Sequence, residues 1–266
     1  VENPLTVEFV LIASIIAGAS FVRGALGFGE ALFAMPLLAL LIPTTVATPL
    51  IALCGTLTAV VILSRDWRHV VLRPAKLLTL FGLLAVPFGV GLLRSGDERF
   101  VKGLLAVVVL GFSSWSLWRP HLFQLRDDRL APLFGLAAGL LGGAYNTSGP
   151  PLVIFGTLRR WSPQQFRATL QAYCLIAGLW SIIWHNVTGL MTRAIVNQFV
   201  LSAPLIVAAT LVGLRVTTRI PTDRFVRVVH CALIVVGISL VVACINGGAA
   251  VSVPAAVTKT EGVLSP

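Results

Sequence analysis

Apolar runs alternate along this chain with short polar or charged links. The runs lie near residues 5–22, 25–42, 46–64, 74–93, 100–118, 130–145, 150–158, 166–188, 194–214 and 224–245. A helix needs about 20 mainly apolar residues to cross a bilayer, and most of these runs approach that length. Lipid offers the backbone no hydrogen-bond partner, so such runs must be helical, and the two-residue alternation of a β-barrel is absent. The pattern predicts an all-α polytopic membrane protein.

Composition agrees. Of 266 residues, 57% are hydrophobic and 11% charged, with a mean hydropathy of +0.93. So few charges cannot cover a water-soluble globule, which excludes a secreted domain, a cytosolic enzyme or a disordered chain. The net charge of +10 would suggest nucleic acid in a soluble protein. Here it points to membrane orientation and an anionic substrate, and no nucleic-acid partner is expected. Cys54, Cys174, Cys231 and Cys244 all fall inside apolar runs, without metal-ligand spacing, and read as small core residues. No targeting peptide is evident, so the first apolar run reads as a retained segment. The stretch 247–266 reads as a disordered tail.

The chain repeats itself. Glu98-Arg99-Phe100-Val101-Lys102 is answered by Asp223-Arg224-Phe225-Val226-Arg227, Ala47-Thr48 by Ala168-Thr169, and Cys54 by Cys174. This divides the chain into two transmembrane repeats, 1–120 and 121–246, each a Gly/Pro-interrupted segment followed by three transmembrane helices. Interrupted segments at matching places in two halves are the best sequence pointer to a transporter's substrate site. If each interrupted segment returns to the side it left, a half crosses an odd number of times and the repeats are inverted. Arg65, Arg68, Arg73, Arg159, Arg160 and Arg167 then share one side with most other basic residues. Only Arg94, Arg99, Lys102, Arg193 and Lys259 lie opposite. If each segment crosses once, the basic residues divide almost evenly. The positive-inside rule selects inverted repeats with both termini outside. Trp67, Trp118, Trp161 and Trp184 read as interfacial anchors.

The first interrupted segment carries Arg23, Gly27, Phe28, Gly29 and Glu30, with both charges inside an apolar region. Glycines let the chain break there, and a helix restarting after Gly27 would aim free N–H groups inward. The matching segment holds Asn146, Thr147, Ser148 and Gly149 before Pro150-Pro151. These polar residues are N-cap types, so a second helix start facing the first is expected. Gly135, Gly139 and Gly143, four apart, read instead as a helix-packing stripe. Arg23 either contacts an anionic substrate or pairs with Glu30, and both readings stand. Glu30 is a candidate proton-coupling residue as well as a structural acid. Gln171 and Tyr173 follow the second break closely enough to reach a central site. His185 reads as a water-exposed or capped residue near an interface, and His230 as a packed or interface residue.

The run Gly24-Ala25-Leu26-Gly27-Phe28-Gly29-Glu30-Ala31-Leu32-Phe33-Ala34-Met35-Pro36-Leu37-Leu38, with Ala47-Thr48 beyond it, resembles the TauE/SafE sulfite exporter family, grouped with the toluene sulfonate uptake permeases. The likeness extends to the second half and covers about 5 to 246. It implies a bacterial inner-membrane transporter of sulfite, thiosulfate or organosulfonates such as sulfoacetate and taurine-derived products, with Gly27-Phe28-Gly29 and Ser148-Gly149-Pro150 forming the central site. Glu30 departs from the more glycine-rich run common in the family, and Asn146-Thr147-Ser148 is more polar than a plain glycine run.

The expected function is therefore secondary transport by alternating access: export of a small sulfur-containing anion, coupled to protons or to the membrane potential. Proton-coupled uptake of an organic or sulfur anion is the alternative, and a non-transporting membrane scaffold is a third reading. An enzyme is not expected, since no metal-spaced cluster or nucleophile–base pair stands out. No cofactor and no metal are expected. The expected partners are the anion, the lipid bilayer and protons, and a homodimer is compatible with the sequence.

Overall fold

A computed structural model of the chain describes residues 7–118, 124–125 and 127–216, together with helical residues 231, 233–235, 237–239, 241–242 and 245. The expected tail at 247–266, His230, Cys244 and the Asp223–Arg227 counterpart lie outside the described residues, as does much of the run at 224–245.

The described elements are helical: α1 (Val7–Leu26), α2 (Glu30–Leu41), α3 (Thr44–Asp66), α4 (Leu72–Ser95), α5 (Glu98–Trp118), α6 (Ala131–Tyr145), α7 (Gly149–Leu158), α8 (Pro163–Val187) and α9 (Arg193–Val216), with a single 3-10 turn at Trp67–His69. Among the described residues, six helices are long and apolar enough to cross a membrane (α1, α3, α4, α5, α8 and α9), whereas α2, α6 and α7 are shorter apolar helices. Large apolar side chains such as Leu80, Leu84 and Phe88 stand exposed along α4, as a lipid-facing surface requires. The protein is an all-α, multi-pass membrane protein.

The first break falls later than the apolar pattern suggested. Helix α1 runs through Arg23 and Gly24; glycine at 24 serves packing, since the backbone of α9 at Thr210 and Gly213 approaches where a side chain would stand. It ends at Gly27 (φ 80), whose N–H donates to Arg23 O at 2.7 Å. After Gly29 (φ 98) the chain re-enters a helix at Glu30. Positive φ at two positions favours glycine.

The second break is also built differently from expectation. Asn146 is left-handed (φ 52), with its N–H on Gly142 O at 2.8 Å and the Thr147 N–H on Leu141 O at 3.2 Å. That pattern closes the C-terminus of α6. Ser148 does precede α7, but its side chain makes no capping bond. A capping oxygen accepts from the second or third helical N–H, and here those positions are Pro150 and Pro151, which have none. Asn146 and Thr147 therefore end one helix rather than start the next.

Contacts at the helix ends show the path of the chain. The Leu125 N–H donates to Leu158 O at 2.9 Å and Arg159 pairs with Asp128 at 3.2 Å. Hairpin α6–α7 thus returns to the end it left. Asp66, at the end of α3, pairs with Arg167 near the start of α8, and Val71 N–H bonds Thr169 Oγ1. The basic links 65–73, 127–130 and 159–167 consequently gather at one end of the molecule. The most extensive helix pairings are α4 with α6 and α1 with α9, around a central α3–α8 contact. Both outer pairs rest on glycine: Gly135, Gly139 and Gly143 of α6 sit against the α4 backbone at Leu78, Gly82 and Val86, and Gly24 of α1 against α9 at Thr210 and Gly213. The expected packing role of the α6 glycines is what the structure shows.

Candidate functional site

Arg23, one turn before the first break, is buried at 6% exposure, and Glu30, the first residue beyond it, at 2%. They form an ion pair, Arg23 Nη1 to Glu30 Oε2, at 2.7 Å. Each is also held by others. Arg23 Nη1 donates to Gly55 O at 3.0 Å, and its Nε and Nη2 donate to Gln171 Oε1 at 3.1 and 2.7 Å. The other carboxylate oxygen, Glu30 Oε1, accepts from Ser20 at 2.9 Å and Thr58 at 3.1 Å. Gln171 closes the circuit by donating its amide to Gly27 O at 2.7 Å. Buried charges persist only when paired and hydrogen-bonded, and this network meets that condition with groups from α1, α2, α3 and α8.

Two small cavities adjoin the pair. The first, about 20 Å³, lies between α3 and α8 and is bounded by Arg23, Gly55, Thr56, Gly178 and Ser181. The second, about 30 Å³, lies between the two breaks and is bounded by Glu30, Phe28, Gly29, Thr147 and Gly149 among others. Arg23, Asn146, Ser148 and Cys174 line both. Each has room for a water or two, so a sulfonate enters only when the surrounding helices move apart. Asn146 is fixed by its Nδ2 bond to Ile51 O at 3.0 Å. Ser181 is almost fully buried at the wall of the first cavity.

Of the residues singled out by sequence, Arg23, Phe28, Gly29, Glu30, Asn146, Thr147, Ser148 and Gly149 surround these cavities, and Gln171 orients Arg23. Gly27 contributes its carbonyl to Gln171 and lies outside both linings, with the aliphatic stem of Arg167 where a side chain would be. Tyr173 does not reach the cavities; it is fully enclosed, with its hydroxyl against Gly82. Arg23 is paired with Glu30 and also borders the open space. The expectation of amide-rich opposed helix starts needs correcting, because Pro150 and Pro151 take two amides from α7 and leave that side hydroxyl and side-chain amide donors.

Several participants were not foreseen. Ser20, Thr58 and Gly55 are single polar or small residues within apolar helices, and their only sequence signal is a hydroxyl or glycine on a buried face. Cys174, read as core, borders both cavities, and Cys231 is exposed. Cys54 is buried as expected. His185 is buried rather than water-exposed, with neither ring nitrogen partnered among the described residues. The links after α8 fold over it, with Leu190 and Met191 N–H groups on its carbonyl. Of the Trp residues, Trp67 and Trp118 are exposed near helix ends, as anchors require, whereas Trp161 packs on Phe155. Among the described residues no cluster of His, Cys, Asp and Glu is placed to hold a metal.

A multi-pass helical protein with two helix breaks meeting at a buried, charge-bearing centre has the architecture of a membrane carrier. The chain belongs to the sulfite exporter TauE/SafE family, whose model matches residues 10–240, and it is thereby a member of a transporter family. A protein of Cupriavidus necator described as a probable sulfite/organosulfonate exporter TauE is 27% identical over 184 residues, covering 68% of this chain and 70% of that protein. No solved structure matches the chain.

Proposed function

We propose that this protein is a secondary transporter that exports a small sulfur-containing anion, sulfite or an organosulfonate such as sulfoacetate, across the bacterial inner membrane. The observation that carries this reading is the meeting of the two helix breaks, one from each half, at a closed polar centre containing Arg23. A guanidinium offers the planar donors that oxyanions require. Arg23, Phe28, Gly29, Asn146, Thr147, Ser148 and Gly149 form the binding region, with Gln171 and Gly27 holding it in place.

The two halves act as inverted repeats, 1–120 and 121–246, that rock against each other around this centre. Supporting this is the exchanged packing, in which α1 of the first half meets α9 of the second while α6 of the second meets α4 of the first. Gathering of the basic links at one end supports placing that end inside and both termini outside. The inside-negative membrane potential by itself favours anion exit by about 2.3 kcal/mol per charge per 100 mV.

Proton-coupled uptake has one specific observation in its favour. Glu30 competes with any anion for Arg23, so a proton on Glu30 frees Arg23 and anion and proton load together. Such linkage carries both in the same direction, which suits uptake, whereas export on this geometry relies on the potential. The membrane-scaffold reading gives no reason for a buried, hydrogen-bonded charge pair at the junction of the two breaks.

The test is efflux of labelled sulfite and sulfoacetate from proteoliposomes, with potential and pH gradient imposed separately. Potential-driven efflux supports the export reading. Flux that follows the pH gradient alone favours proton-linked uptake, and no flux of any sulfur anion removes both.

A further inference from the structure

The charges at the centre balance. Among the residues that line the two cavities, the charged ones are Arg23 and Glu30, one of each sign. A bare anion that takes Arg23 leaves the Glu30 carboxylate buried without its cation, the most unfavourable state for a buried pair. A cargo that brings its own positive charge avoids that state.

The two cavities differ in a way that suits such a cargo. Arg23 borders both of them, whereas Glu30 borders only the second. The first offers donors without a carboxylate: the guanidinium, Asn146, Ser148 and Ser181. The second offers the carboxylate with apolar neighbours Phe28, Leu32 and Leu170. Both charged groups also keep partners when they separate. Arg23 stays on Gln171 and Gly55 O, and Glu30 stays on Ser20 and Thr58. Between them lie Gly27 and Gly29, both at positive φ, a hinge at which α2 can swing from α1.

We propose that this centre accepts zwitterionic sulfonates, with the sulfonate at Arg23 in the α3–α8 cavity and an ammonium group at Glu30 between the two breaks. The inserted molecule replaces the internal ion pair with two new ones, and no net charge enters the membrane interior. This rests on the transport reading above and adds to its substrate class sulfonates whose second group is a hydrogen-bond-donating cation.

The experiment compares two probes of similar size, 2-aminoethanesulfonate and 2-hydroxyethanesulfonate, in counterflow with proteoliposomes of the wild-type chain and Glu30→Gln, with sulfite as a third probe. The wild type is expected to carry the amino compound at least as fast as the hydroxy compound, at a rate unaffected by an imposed potential. In Glu30→Gln the amino-to-hydroxy rate ratio is expected to fall roughly tenfold or more, since tenfold corresponds to losing a single modest ionic interaction. Carriage of the hydroxy compound or sulfite by the wild type without the amino compound overturns the inference and leaves the transport reading standing, as does an unchanged ratio in the variant. If the wild type carries none of the three and no sulfoacetate either, the transport reading falls and this inference with it. The wild-type comparison decides even where Glu30→Gln does not fold.

Discussion

Arg23 and Gln171, 148 residues apart and in different halves of the chain, are joined by two hydrogen bonds to a single oxygen, Gln171 Oε1. The same Gln171 side chain holds the carbonyl of Gly27. One amide therefore fixes the cation and the edge of the helix break together. Replacing Gln171 with Ala leaves buried donors on Arg23 and a buried carbonyl at Gly27 unsatisfied. About 1–3 kcal/mol is at stake for each such group. A clearly lowered melting temperature in detergent is expected, together with loss of transport. An unchanged melting temperature would show that water replaces the amide.

The Arg23–Glu30 pair makes a different prediction. Removing one member of a buried ion pair costs about 3–5 kcal/mol, whereas replacing both by apolar residues of similar volume is often neutral or stabilising. Arg23→Met and Glu30→Met should each destabilise strongly, and the double variant should recover much of the loss while remaining inactive. Thermal unfolding of the four proteins checks this. Additive losses would mean the two charges are stabilised independently of each other.

At the breaks, glycine is required for two separable reasons. In Gly27→Ala the new methyl meets Arg167 Cγ at 2.9 Å as well as suffering a positive φ, whereas in Gly29→Ala the nearest atom is Val22 Cγ1 at 3.7 Å. A residue strained in this way costs of order 1–3 kcal/mol, so both variants should lose stability, with Gly27→Ala losing more. Gly55→Ala has no such strain, but its methyl would sit 3.0 Å from Arg23 Nη1 and 3.1 Å from Asn146 Nδ2. That variant should fold and lose transport, which flux and melting measured side by side would separate.

Much of the fold was legible because lipid makes apolar length and charge placement nearly sufficient. The nine helices from α1 to α9 begin and end within a few residues of the apolar runs, and the matched breaks announced themselves as Gly27-Phe28-Gly29 and Asn146 to Gly149. Periodicity could not reveal which end of a break a polar residue serves. Asn146, Thr147 and Ser148 are all good N-cap types, yet Pro150 and Pro151 remove the N–H groups that Ser148 would cap, and Asn146 and Thr147 close α6 instead. The partners Ser20, Thr58, Gly55 and Cys174 were not legible, since each is an ordinary small residue until the tertiary contact between α1, α3 and α8 turns it toward Arg23 or Glu30.

Cys174 supplies a native reporter of access. It borders both cavities, and the Asp66–Arg167 pair lies toward the basic end of the same α3–α8 contact. Asp66→Asn should loosen that end. A thiol reagent applied from the basic side is expected to label Cys174 faster in Asp66→Asn than in the wild type, and a transported sulfonate should slow the labelling. Equal rates would mean that the pair does not restrain opening on that side.

The central claim is that Arg23 binds the anion where the two breaks meet, and flux tests it most directly. Labelled sulfite and sulfoacetate uptake into proteoliposomes, recorded alongside charge movement, should be saturable in the wild type. In Arg23→Lys, which keeps the charge but loses the planar donors, it should fall by about tenfold or more, provided that the variant elutes and melts as a folded protein. Wild-type flux preserved in folded Arg23→Lys, or absent for every sulfur anion in the wild type, would contradict the account.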